Sequence, residues 1–193
     1  MSNMTSFSLL SRILHWMMAI MILGMLFVGV FMASTVGPEY HRLMTLHRPL
    51  GIAILLLAVV RLANRLCSPP PLLSAELPST MRFAANASHI SLYALMIAMP
   101  LVGWGMLSAG GYPIPLWGQS MLLPPILPHN PVLWARLRAT HTVLAFLLFG
   151  LVLLHISAAL FHRLILRDGV LQSMLTRKSR CDGALDSDRM SGR

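Results

Sequence analysis

"ATHTVLAFLLFGLVLLHIS", residues 139–157, contains two histidines and no charged side chain. The hydrocarbon core of a bilayer is about 30 Å thick and needs roughly 20 mainly apolar residues per helix. An ionisable group within such a span is costly and by default marks a functional site. The stretch therefore predicts a transmembrane helix on which His141 and His155 have a function.

The composition of the whole chain is that of a membrane protein. Of its 193 residues 56% are hydrophobic and only 11% are charged, and the mean hydropathy is +0.70. Soluble domains have about 25% charged residues, so this class is excluded. The net charge of +9 could indicate nucleic-acid binding. In a membrane protein it more often reflects topology, because arginine is enriched in the cytoplasmic loops. We expect the lipid bilayer and no nucleic acid as a partner.

Four segments are long and apolar enough to span a membrane: Ile13 to Ala33, Leu46 to Leu66, Asn86 to Leu107, and Ala139 to Phe161. They predict an all-α, four-helix transmembrane bundle formed by residues 1–175. The polar tail, residues 176–193, is expected to be disordered. The proline-rich link between the third and fourth spans is long, which is typical of a functional or capping loop.

The arginines predict the orientation. Eleven of the 15 basic residues fall on one side of the membrane if both termini share it. The other side keeps only four: Arg42, Arg48, Arg136 and Arg138. The positive-inside rule then places the N- and C-termini in the cytoplasm. Below, "inner" refers to this side and "outer" to the opposite one.

The spacing of the two histidines places both on one helix face. Their separation of 14 residues corresponds to a rotation about 40° short of four turns and to a rise of about 21 Å. His141 is thus in the outer leaflet and His155 in the inner leaflet. Because successive spans alternate in direction, His15 is at the depth of His155 and His47 at the depth of His141. For His15 to reach that depth, the first helix must begin near Ser8, where a serine would cap it.

Two histidine pairs along one bundle axis predict two stacked haems, since paired imidazoles hold haem iron and bundle cores are where such sites form. The proposed iron ligands are His15, His47, His141 and His155. Two alternatives remain. Each histidine can be an interfacial or core residue bonded to a neighbour, or the set can serve a cation transporter. Transporters usually enlist intramembrane carboxylates, and none of the six acidic residues falls within a predicted span.

An ordered set of residues resembles the bacterial cytochrome b561 family: His15-Trp16, LHRPLG with His47, Arg61 and Arg65 before SPPP, His89 with Tyr93, His141, and His155 with His162. The resemblance extends from about residue 8 to residue 176. It implies a multi-pass protein of the cytoplasmic (inner) membrane that carries two haem b groups. It also implies that His15 and His155 hold the inner haem and that His47 and His141 hold the outer one. Members of the family exchange electrons with ubiquinone, and at least one branch is a superoxide oxidase.

The chain departs from the family pattern at two positions. Pro49 follows His47 by two residues and is expected to kink the second helix or to set its first turn. His162 is followed by Arg163, where the family often has paired histidines, so any role of the second histidine is absent or altered.

Further candidates lie at the two ends of the bundle. On the inner side, His89 and His162 are predicted to bind a quinone carbonyl and to pass it protons, with Arg12 and Arg82 nearby. The alternative is that they are interfacial residues meeting water. On the outer side, Arg48 and Arg138 are predicted to anchor haem propionates through their planar guanidinium groups. These outer arginines would also attract a small anion.

The leading prediction is an oxidoreductase that oxidises superoxide at the outer face and passes electrons through the two haems to ubiquinone. The basic outer rim and the lack of a soluble electron-carrying domain favour it. The second prediction is a partner-dependent subunit that links a periplasmic or membrane electron donor, a dehydrogenase or hydrogenase, to the quinone pool. The third is a non-catalytic haem-binding sensor. No residue is assigned a catalytic role.

Overall fold

The computed structural model describes residues 8–68, 79–115 and 122–166. The helices are α1 (Leu9–Ser34), α2 (Pro38–Cys67), α3 (Ser79–Ala109) and α4 (Pro131–Phe161), followed by a π-helical turn (His162–Leu166). Two short strands, β1 (Ile114–Pro115) and β2 (Leu122–Leu123), pair antiparallel. All four helices are long and apolar enough to cross a membrane, which confirms the predicted fold class. The predicted disordered tail, the boundary at residue 175 and the link between α2 and α3 (residues 69–78) lie outside the described residues. So do residues 116–121 of the proline-rich link between α3 and α4.

Polar caps set where the helices begin. The Ser8 side chain accepts a hydrogen bond from the Ser11 backbone N at 3.2 Å, so α1 begins near the residue that the depth argument required. A three-residue link leads to α2, with Gly37 at a φ of 84°, a conformation that glycine adopts without steric cost. The Asn130 side chain caps α4 by accepting from the Leu133 backbone N at 3.0 Å.

The helices are longer than the apolar runs predicted. α2 begins at Pro38 and not near Leu46, and α4 begins at Pro131 and not near Ala139. Proline suits the first helical turn and polar caps satisfy its free N–H groups, so a helix continues past the edge of the apolar segment. As a result, Pro49 lies inside α2 and does not set its first turn.

The outer surfaces of the helices are strongly apolar. Ile20 on α1, Ile90 on α3 and Phe146 on α4 are 70%, 69% and 74% exposed. Exposure of so many large apolar side chains is unfavourable in water. Their exposure fits a protein whose surface is covered by lipid.

The helices pack in chain order, and the packing is tightest at mid-depth. α1 packs on α2, α2 on α3 and α3 on α4, whereas α4 barely approaches α1 or α2. Six buried residues form one apolar layer: Met18, Ile22, Ile54, Ala58, Met96 and Leu148. Leu148 lies midway along α4 between His141 and His155. This apolar layer therefore separates the outer end of the bundle from the inner end.

The link between α3 and α4 folds back over the outer end of α3. Ser108 is 4% exposed; its hydroxyl donates to the Trp104 carbonyl at 2.9 Å and accepts from the Ile126 N at 3.1 Å. Trp104 Nε1 donates to the Pro124 carbonyl at 3.0 Å. These contacts hold the described part of the link, including β1 and β2, as a cap on the bundle.

Gly110 is the tightest point of this cap. A Cβ at this position would lie 2.6 Å from the Tyr112 ring and 2.8 Å from Cδ1 of Trp134. We expect Gly110→Ala to destabilise the protein by about 1–3 kcal/mol, because the added methyl group overpacks the site. A thermal melt in detergent measures this, with Gly24→Ala as the control, since nothing lies within 4 Å of a Cβ there. Equal melting of the two variants would contradict the expectation.

Candidate functional site

The outer pair of histidines joins α2 and α4. The ring centroids of His47 and His141 lie 6.1 Å apart, with the ring planes inclined at 65°. The backbones of the two helices approach each other little, and the two rings meet edge to face between them. Both side chains are partly buried.

The inner pair joins α1 and α4 in the same manner. The centroids of His15 and His155 lie 6.4 Å apart and the planes are inclined at 64°. α1 and α4 also make little direct contact. The structure thus brings together the same two pairs that were matched by depth in the sequence.

Both separations suit a metal ion held between two imidazoles. A ring nitrogen bonds such an ion at about 2.0–2.1 Å, and the centroid lies about 1.1 Å behind it. Two rings on opposite sides of one ion therefore have centroids about 6.3 Å apart. Within the described ranges, no three His, Cys, Asp or Glu side chains form a group that could hold a metal. Two axial ligands with the other positions supplied by a macrocycle, as in haem, fit this arrangement.

The outer pair also has unsatisfied polar atoms. Within the described residues, three buried side-chain nitrogens lack a hydrogen-bond partner: Nδ1 of His47, Nδ1 of His141 and Nε of Arg48. A buried polar group left without a partner costs about 1–3 kcal/mol. All three belong to the outer pair or to its neighbour Arg48, and the unpartnered Nε of Arg48 fits a polar cofactor that supplies the missing partner.

Gly103 on α3 packs directly against the His141 ring. A Cβ there would lie 3.2 Å from Cε1 and 3.4 Å from Nδ1 of His141. The absence of a side chain lets the imidazole lie directly against the α3 backbone. In the sequence, this residue was only one of several glycines within the predicted spans.

A third histidine adjoins the inner pair. The centroid of the His89 ring on α3 lies 5.7 Å from that of the His155 ring. The predicted quinone role did not include this contact. His162 lies in the π-helical turn beyond α4, with its ring 6.4 Å from that of Phe161. The predicted quinone-binding residues therefore lie at the inner end, with His89 in direct ring contact with the inner pair.

Two arginines and a tyrosine form a second inner cluster; all three belong to the set that resembles the family, but the sequence did not predict their contact. Arg61 Nε donates to the Tyr93 hydroxyl at 3.0 Å. The Cζ atoms of Arg61 and Arg65 lie 5.9 and 5.7 Å from the centroid of the Tyr93 ring. Asn64 Nδ2 donates to Ser11 Oγ at 2.7 Å, which ties this part of α2 to α1.

The two predicted outer arginines differ in their surroundings. Arg48 Nη1 donates to the Pro113 carbonyl at 3.2 Å, which links α2 to the cap. Arg138 is exposed, and its Cζ lies 5.5 Å from the centroid of the Trp134 ring. Arg48 is therefore held close to the outer pair, whereas the Arg138 guanidinium is accessible from the outer side.

Comparisons with known proteins agree with this architecture. The family described as prokaryotic cytochrome b561 matches residues 6–177. Cytochrome b561 homolog 2 of Escherichia coli K12 is 33% identical, covering 90% of this chain and 93% of the relative. The probable superoxide oxidase CybB of Yersinia pestis is 28% identical, covering 86% and 93% respectively. Cytochrome b561 homolog 1 of E. coli K12 is 27% identical, covering 91% and 99%.

Proposed function

Because the chain belongs to the prokaryotic cytochrome b561 family, we propose that it holds two haem b groups and couples superoxide oxidation to ubiquinone reduction. Haem b binding, electron transfer in the membrane and a multi-pass location in the bacterial inner membrane follow from the family and the four spans. What we propose beyond this is the number of haems, the electron donor and the electron acceptor. We also propose the orientation, with both termini of the chain in the cytoplasm.

The two histidine pairs are the observation that carries the proposal. His47 and His141 would hold the outer iron, and His15 and His155 the inner one. The separations of 6.1 and 6.4 Å support this assignment. His15 is the assigned ligand because its separation of 6.4 Å from His155 is nearer to the expected value than the 5.7 Å of His89. Each haem, when bound, supplies one-electron redox chemistry.

The proposed reaction balances for two superoxide anions and one ubiquinone. Each superoxide gives up one electron and becomes dioxygen. Ubiquinone accepts both electrons and two protons and becomes ubiquinol. The relative named as a probable superoxide oxidase supports this choice of donor.

At the outer side, the arginines have separate roles in the proposal. Arg48, partly buried and fixed to the cap, would bind a haem propionate through its unpaired Nε. The exposed Arg138 would also be within reach of a propionate, and it would attract the superoxide anion towards the outer pair. At the inner side, His89 and His162 would contact ubiquinone and supply its protons. The apolar layer at mid-depth keeps water from connecting the two ends.

A superoxide pulse tests the proposed function. The protein is purified in detergent, freed of ubiquinone and mixed with superoxide while the visible spectrum is recorded. Reduction of b-type haem within milliseconds, followed by reoxidation when ubiquinone is added, would support the proposal. Haems that ignore superoxide yet respond to dithionite would refute it in favour of a partner-dependent electron-transfer subunit. A folded protein without haem would refute both.

Arg138→Gln tests the role of the exposed outer cation. We expect the second-order rate constant for haem reduction by superoxide to fall about 2- to 10-fold at low salt, because electrostatic steering of the anion is weakened. The difference from the wild type should shrink at high ionic strength, where exposed charges are screened. Arg42→Gln is the control, since Arg42 is already paired with Glu39 at 3.0 Å. An equal loss in both variants would contradict a specific role for Arg138.

A further inference from the structure

The cluster of Arg61, Arg65 and Tyr93 concentrates positive charge inside the inner end of the bundle. Arg61 and Arg65 are one helical turn apart on α2, and both guanidinium groups contact the same Tyr93 ring on α3. Both arginines are partly buried. The Tyr93 hydroxyl accepts from Arg61 Nε, which fixes the orientation of that guanidinium.

Nothing in the described part of the chain neutralises these charges. Its one acidic residue, Glu39, lies near the outer start of α2, where it pairs with Arg42. Charged residues within membrane helices are costly unless paired. Two guanidinium groups against one ring, with no carboxylate nearby among the described residues, favour a ligand with negative charge.

The depth of the cluster matches that of the inner histidine pair. Arg61 follows His47 by the same number of residues as His155 follows His141, so the two are level along antiparallel helices. Arg65 lies about 6 Å further towards the inner surface. Tyr93 is one turn from His89, whose ring contacts His155. A group held between His15 and His155 is therefore beside the cluster, with the second guanidinium on its inner side.

We propose that Arg61 and Arg65 bind the two propionate carboxylates of the inner haem and that Tyr93 positions their guanidinium groups. This inference rests on the proposed inner haem. Haem b carries two carboxylates, and the planar guanidinium fork pairs with both oxygens of a carboxylate. A quinone is neutral and offers only carbonyl oxygens, so it would leave both charges uncompensated. The number and sign of the charges favour the propionates.

Substitution of the arginines tests the assignment through haem content and potential. Arg61→Gln and Arg65→Gln should each lower the midpoint potential of one haem, because removing a nearby cation favours the more positively charged ferric state. The double variant should lose one of the two haems. Arg61→Lys should keep the potential closer to that of the wild type. Arg42→Gln is the control, since Arg42 is an exposed cation at the outer start of α2, where it pairs with Glu39.

A modified haem provides a second measurement that does not depend on the folding of a variant. Apoprotein is reconstituted with iron protoporphyrin IX or with its dimethyl ester, which lacks free carboxylates. In the wild type, we expect the inner site to bind the ester about 10-fold more weakly, as charge-assisted hydrogen bonds are lost. In the Arg61→Gln/Arg65→Gln protein, any residual binding at the inner site should not distinguish the two compounds.

Tyr93→Phe separates positioning from direct binding. The variant keeps the ring and removes the hydroxyl that accepts from Arg61 Nε. We expect two haems to remain, with a smaller drop in the inner potential than Arg61→Gln causes. A potential identical to that of the wild type would remove Tyr93 from the assignment.

The proposal would be overturned if both arginine variants kept their haem content and potentials and only quinone reduction were impaired. The cluster would then be assigned to ubiquinone binding. Equal binding of the ester and the free acid at the inner site of the wild type would overturn it as well. A wild-type protein that contains no haem would instead refute the proposed function. The two failures are therefore distinguishable.

Discussion

Replacing His155 with leucine will leave one haem where the wild type has two, and quinone reduction will stop. Both neighbouring imidazoles, His15 at 6.4 Å and His89 at 5.7 Å, face the His155 ring. His155 is the imidazole that both of these rings face, so we expect its removal to abolish the inner site. Haem per chain, measured after extraction, and the number of potentials in a redox titration give the result.

The control for this variant is His129→Leu. His129 is an exposed histidine of the outer cap, packed against Gly111 and at the opposite end of the bundle from His155. It should keep two haems and full activity. Retention of two haems by His155→Leu would disprove the inner ligand assignment. Loss of a haem in His89→Leu but not in His15→Leu would transfer the partner role to His89.

Gly103→Val will remove the outer haem and leave the inner one. Even a Cβ at this position would approach Cε1 of His141 to 3.2 Å, and the two further methyl groups of valine cannot be accommodated without moving the ring. A displaced imidazole no longer reaches the iron at bonding distance, so we expect the outer site to lose its haem. The remaining haem should have the midpoint potential of the inner site, and its reduction by superoxide should be lost.

Gly150→Val is the matched control for Gly103→Val. Gly150 lies on the same helix as His141, and the nine-residue separation places it on the opposite face. Nothing lies within 4 Å of a Cβ built there. If both variants keep two haems with unchanged potentials, the close approach of Gly103 to His141 has no part in cofactor binding.

Several features followed from the sequence because they depend on periodicity and the bilayer. The four spans are set by apolar length, and the 3.6-residue repeat places His141 and His155 on one face of α4. The alternation of helix direction then matches each of them with one histidine on another helix. The start of α1 at Leu9 followed from the same depth argument, and Ser8 provides the cap.

Other features depend on how neighbouring helices rotate about their axes, which a periodic pattern does not specify. The ring contact of His89 with His155 and the approach of Gly103 to His141 are set by the packing of α3 against α4. The helix ends beyond the apolar runs are set by proline and capping residues, which hydropathy does not detect.

The membrane bundle, the depth of each histidine and the shared face of the two on α4 follow from the order of residues alone, because hydrophobic length and helical repeat are local properties. The side chains that surround each pair depend on how the helices pack. Arg61, Arg65 and Tyr93 come from two helices, and their meeting depends on the rotation of α2 against α3. Side-chain packing between helices sets that rotation, and it involves residues far apart in the chain.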